Sequence, residues 1–141
     1  MHFPTIIGTL TAVAMIAVPA SAAPATSEVP SALQKRDGCY GSGLYYADIT
    51  SNSDELARVR EDACHYFAGS YPGNGERKWC KQYDGKKINM SIKNWAKRVE
   101  ALTFDECKAG FTIEMNACSR GSYQRHGNFY YDNDPNAGNC P

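Results

Sequence analysis

Six cysteines constrain this chain more than any other feature: Cys39, Cys64, Cys80, Cys107, Cys118 and Cys140, all in the part that follows residue 38. An even count in a small chain predicts a disulfide framework of three bridges, with the pairing left open. Their spacings of 25, 16, 27, 11 and 22 residues contain no C-x-x-C, and Cys64-His65 has no second cluster to join it. A zinc site is therefore not expected. Each bridge is worth about 2–4 kcal/mol, against about 5–15 kcal/mol for a whole domain, so the reduced protein is expected to unfold.

The residues before the cysteines read as targeting and processing segments. An uncharged, mainly apolar run over 6–18 closes at Pro19, and Ala20-Ser21-Ala22 follows as a small-x-small pattern. That is the layout of a secretory signal peptide over residues 1–22, with cleavage after Ala22. A membrane anchor is the alternative, but a spanning helix needs about 20 apolar residues and Pro19 and Pro24 interrupt this one. Residues 23–36 are small, proline-containing and without periodicity, ending in Lys35-Arg36. A dibasic pair at that point reads as the cut site of a kexin-type protease, making 23–36 a propeptide; the alternative is a tail that stays attached. Residues 37–141 then form one disulfide-bonded domain. Lys plus Arg and Asp plus Glu number 15 each over the whole chain, so no basic excess points to nucleic acid. No span remains in the domain.

Within it, residues 39–50 read as a short strand or extended lead-in. "SNSDELARVREDACHYFAG" reads as a helix capped by Ser51 or Ser53, with Leu56, Val59, Ala63 and Phe67 at helical spacing and Gly69 at its end. "SYPGNGE" reads as a loop. In "RKWCKQYDGKKINMSIKNW", Asp84-Gly85 suits a two-residue hairpin turn. That turn pairs Tyr83 with Lys86, Lys81 with Ile88 and Trp79 with Met90. Trp79, Tyr83, Ile88, Met90 and Ile92 then share an inward face, and Cys80 lies on the polar face, bonded to something that crosses it. "LTFDEC" is a capping box, Thr103 with Glu106, opening a second helix with Phe104, Cys107, Phe111, Met115 and Cys118 along one side, closed by Gly121. Cys107 and Cys118 are eleven residues apart, roughly 16 Å along a helix. They cannot bond each other and must staple the helix to other elements. Gly110 between them suits close packing. "FYY" reads as strand, and Asp134-Pro135-Asn136 as the start of a turn. The expected fold is α+β: a disulfide-stapled sandwich of two helices packed on an antiparallel sheet of about three to five strands.

Chemistry is less legible. His65 and His126, with Glu61, Arg58, Arg125 and Glu114 nearby in sequence, could supply a general acid and base for a ribonuclease-like hydrolase, but no hydrolase motif accompanies them. Asp132, Asp134 and Asn136 alternate like the start of a calcium loop, without its glycine or closing carboxylate. Asn89-Met90-Ser91 is a glycosylation sequon on the polar strand face. Trp95, Tyr123, Phe129, Tyr130 and Tyr131, with Arg125 and His126, form the candidate ligand surface, since so many aromatics exceed the needs of one buried face.

The segments "DACHYF", "LTFDEC", "IEMNAC" and "YYDNDPNAGNC" resemble the fungal glycan-binding-protein family of mushroom-lectin type, and the element order is similar to the killer-toxin-like secreted α/β sandwich. The resemblance implies an αβα sandwich and a secreted, non-enzymatic, cofactor-free fungal protein. Its expected role is glycan binding or action as a host-directed effector, with a ribonuclease-like hydrolase and a killer-type toxin as alternatives. The expected partner is a carbohydrate or a host or competitor cell-surface protein, with a homodimer through a sheet edge left open.

Overall fold

The computed structural model describes residues 38–141. The signal-peptide and propeptide expectations, with Ala22, Lys35 and Arg36, fall outside the described residues. A four-residue helix, α1 (Tyr46–Ile49), leads into α2 (Ser53–Phe67), β1 (Gly69–Tyr71), β2 (Glu76–Gln82), β3 (Lys86–Asn94), β4 (Glu100–Leu102), α3 (Phe104–Ala117), β5 (Ser122–His126) and β6 (Phe129–Ala137). β2, β3, β6 and β5 form a four-stranded antiparallel sheet in that order, and β1 and β4 form a separate two-stranded one. The fold is a small, disulfide-stapled α+β fold.

α2 starts after Asn52, whose side chain accepts from the amides of Asp54 (2.9 Å) and Glu55 (3.3 Å). The cap is thus neither Ser51 nor Ser53: an asparagine between two serines competes for the same role, and the amide oxygen reaches both orphan donors. α3 opens with the expected capping box, Thr103 and Glu106 bonding each other's backbone amides. It ends at Ala117, with Cys118 as its cap, so Gly121 does not close it. Gly121 (φ +87) instead fits against the Asn133 carbonyl, where a Cβ would sit 2.0 Å from the oxygen.

The hairpin forms in the expected register, with Lys81 opposite Ile88, Trp79 opposite Met90, and Tyr83 donating to the Lys86 carbonyl at 2.8 Å. Gly85 takes φ +62, the left-handed conformation the turn requires. Ile88, Met90 and Ile92 are buried against the helices, and the half-buried Trp79 and Tyr83 pack beside them. α2 lies on β2 and α3 on β5 and β6, so the helices cover one sheet face, and the other, the bare face, carries no helix among the described residues. The core holds Val59, Ala63, Phe67, Tyr71, Leu102, Phe111, Met115, Phe129 and Tyr131 as well.

The three bridges are Cys39–Cys118, Cys64–Cys107 and Cys80–Cys140. The second joins α2 to α3 through two fully buried sulfurs. The first ties the chain's lead-in to the end of α3. The third pins the C-terminal tail across the bare face, which accounts for a cysteine on that side of β2. Disulfides in a small domain are typical of extracellular proteins. Among the described residues no helix is long and apolar enough to cross a membrane.

Three local expectations are corrected. Residues 39–50 hold the short helix α1 and a single bridge from Cys39 to Ser122, not a strand. The expected loop at "SYPGNGE" begins inside β1, which needs β4, some thirty residues on, to exist at all. Asp134-Pro135-Asn136 is no turn: β6 runs straight through it, with Pro135 opposite Ile88. Pro135 faces its missing N–H away from β3, and β5 stops opposite Asn133, so no ladder bond is lost there.

Candidate functional site

Strand alternation on the bare face lays out a grid. Arg125, Tyr130, Lys93 and Glu76 form one row across β5, β6, β3 and β2; Tyr123, Asp132, Ser91 and Lys78 form the next; Asp134, Asn89 and Cys80 the third. A cleft of about 580 Å³ lies over the second and third rows. It is lined by Lys78, Asn89, Asp132 and Asp134 among others, and walled at one end by Cys140 and Pro141.

Beside the cleft the aromatic rings gather. Tyr123 and Tyr130 stack in parallel, centroids 4.8 Å apart and planes 3° apart. Trp95 meets Tyr130 edge-on at 5.3 Å. Such geometry suits the ring quadrupoles, and it leaves the outer surfaces of Tyr123 (41% exposed) and Trp95 (50%) open. Tyr40 enters from the lead-in segment, which docks on β5 through Tyr123 N–H to the Gly38 carbonyl (2.8 Å), and its hydroxyl donates to Asp132 Oδ1 at 2.8 Å. Burial raises the Asp132 carboxyl above the usual carboxylate range, against the pull of the Tyr40 hydrogen bond. Burial also raises Asp134, which accepts from the Asn136 side chain. Burial first, then the bond to Asp132, raises the Tyr40 phenol well above its ordinary value, so it stays a donor.

Trp95 is held in place by its neighbour. Asn94 is fully buried, and its amide donates to the carbonyls of Tyr71 (3.3 Å), Pro72 (3.0 Å) and Arg98 (2.8 Å) while its oxygen accepts from Ala96 N–H (2.9 Å). A buried amide with every group satisfied rigidifies what it holds. Here it fixes the bend from Trp95 to Val99, whose side chains at both ends are exposed.

Of the residues proposed from sequence as a ligand surface, Trp95, Tyr123, Tyr130 and Arg125 come together on this face. Phe129, Tyr131 and His126 do not, and are corrected: the same alternation that turns Tyr130 out turns its neighbours in. Phe129 and Tyr131 are core residues. His126 points under α3, where Nε2 lies 2.6 Å from the buried carboxyl of Glu114. His65 packs on Phe104 at 4.6 Å. The two histidines thus touch opposite ends of α3, whose contacted residues are separated by about 15 Å of helical rise. Glu61 pairs with Lys108 and Arg58 is exposed, so of the supposed acid–base group only His126 and Glu114 come together, and His65 does not join them. Asn89 lies in the cleft on the polar face, as its register requires. Asp132, Asp134 and Asn136 share a strand face instead of a calcium loop, and no group of potential metal ligands occurs among the described residues. Tyr40 was not singled out in the sequence, and Asp132 and Asp134 only as the incomplete start of a calcium loop. Burial along β6 alternates with period two, but "YYDNDPNA" has polar Asp132, Asn133 and Asp134 in succession, so the residue types alone carry no such alternation.

Compared with protein-family profiles and with curated protein sequences, the chain has no match.

Proposed function

We propose that this is a secreted, non-enzymatic glycan-binding protein whose bare sheet face takes up sugar. The observation that carries the reading is the parallel Tyr123–Tyr130 stack with Trp95 beside it, open to solvent, next to a cleft that holds Asn89, Asp132 and Asp134. Sugar rings present C–H faces to aromatic rings and hydroxyls to polar groups at their edge. Tyr40, Asp132, Asn89 and Asp134 supply donors and acceptors at that edge. Rigid aromatics lose little entropy on binding. The host-directed effector role fits the same surface, with a cell-surface glycan as its target. β5 is already occupied at its edge by the lead-in segment, whereas β2 has no strand on its outer side among the described residues, so a homodimer would form through β2.

The test is a glycan array followed by calorimetry on the best ligands. Binding that falls at least about tenfold in Tyr123→Ala and Trp95→Ala, a loss of roughly 1.4 kcal/mol each, supports the reading. Absence of any glycan ligand, or release of hydrolysis products from one, overturns it.

A further inference from the structure

We infer that the ligand is an acidic glycan, one whose sugar rings carry carboxylate or sulfate groups, and that Arg125 and Lys93 read its charge. This rests on the glycan-binding reading above and adds the ligand class. The warrant is the first row of the grid. Arg125 and Lys93 stand directly opposite Tyr130 on its two neighbouring strands, all three on the bare face. A sugar ring stacked on Tyr123 or on Trp95 therefore lies near a cation two residues away along the chain, Arg125 or Lys93. Arg125 turns Nε to the Gly127 carbonyl at 2.8 Å, which orients the guanidinium and leaves its other N–H groups for a ligand anion. Among the described residues no carboxylate lies within ion-pair distance of Arg125 or Lys93. Glu76, across from Lys93, pairs with Lys78 at 3.6 Å. Asp132, one row away, is engaged by Tyr40.

The clamped bend that carries Trp95 holds two more exposed cations. It displays Lys97 beside Trp95, and Arg98, which pairs with Glu100 at 2.7 Å. The chain as a whole is neutral, so this clustering is local and not a by-product of net charge. Guanidinium and ammonium groups flanking an aromatic platform complement a ring that bears an anion, whereas a neutral sugar would leave both unanswered.

The experiment uses chemically paired glycans: polygalacturonate and its methyl ester, hyaluronan and its carboxyl-reduced form, heparan sulfate and its desulfated form. Each is titrated by calorimetry into the secreted protein, with phosphatidylserine vesicles as a separate arm. At least one acidic member is expected to bind about tenfold or more tighter than its neutral partner, an advantage that shrinks as salt is raised. Arg125→Gln with Lys93→Gln should bring the pair within about twofold of each other, while Lys108→Gln, on the helix side, should change nothing. Equal affinity within every pair overturns the acidic preference but leaves glycan binding standing. No binding to any glycan overturns both. Binding to anionic vesicles without binding to glycans also overturns it, because the face would then read a lipid surface.

Discussion

At Gly110 a single hydrogen atom matters. A Cβ there would sit 2.5 Å from Cε1 of Tyr131, and that ring cannot swing aside. Its hydroxyl donates to the Glu106 carbonyl at 3.3 Å, and Phe111 and His126 meet it edge-on. Gly110→Ala is expected to destabilise by about 1–2 kcal/mol, overpacking outweighing the gain of about 1 kcal/mol in helix propensity. A melting temperature at or above wild type would contradict this. Asp132 works in the other direction. Its carboxyl is raised by burial, so as pH rises the unfolded chain releases this proton before the folded one does. The folded state therefore loses stability as pH climbs through the raised value, and holds the full contribution only below the ordinary carboxylate range. Asp132→Asn removes the charge and keeps an acceptor for Tyr40. It should raise the melting temperature at pH 7 and leave it unchanged near pH 3; equal shifts at both would refute the burial argument.

At the scale of elements, both main helices owe their ends to named side chains. The Thr103 amide and hydroxyl hold the Glu106 carboxyl below its usual range. Thr103→Ala should cost about 1 kcal/mol at neutral pH. That cost shrinks as acid protonates Glu106, since stability from a lowered carboxyl is present above its unfolded pKa and lost as pH falls through the folded one. Thermal melts at pH 7 and pH 2 would show it. At the other end of α2, Arg77 reaches the carbonyls of Tyr66, Phe67, Ala68 and Ser70 at 3.1–3.4 Å and lies over the Tyr71 ring. The Thr103 box and the hairpin turn were legible because their partners lie within a few residues. Arg77 was not, because what it caps is a helix end two elements earlier, and only the chain's path brings the two together. For the same reason β1 was invisible: three residues, Gly69–Tyr71, form a strand solely because Glu100–Leu102 come alongside. At the candidate site, local alternation disclosed that Tyr130 and Tyr131 must part company. It could not say which of them faced solvent. Gly110 decides that, by giving Tyr131 a place under α3.

Across the whole molecule the three bridges close chain segments of 79, 43 and 60 residues. On the chain-entropy account these lengths are nearly equivalent, each worth roughly 4 kcal/mol, so loop size cannot rank them. Access can, because a thiolate must reach a sulfur before exchange begins. Cys64 and Cys107 are both wholly buried between the helices, whereas Cys39 is exposed and Cys80 and Cys140 are half-buried. Limited reduction by a small thiol, trapped by alkylation and mapped by mass spectrometry, is therefore expected to label Cys80 with Cys140 and Cys39 with Cys118 while Cys64–Cys107 stays closed. Opening Cys80–Cys140 frees only a tail otherwise held by Gln82, Lys87 and the Gly85 carbonyl, so this species should keep its far-ultraviolet spectrum. Cleaving Cys64–Cys107 requires parting α2 from α3, so its alkylation should appear only together with loss of that spectrum. Labelling of Cys64 or Cys107 ahead of the other four, in protein that remains folded, would show that the buried bridge is not the centre about which the helical layer is built.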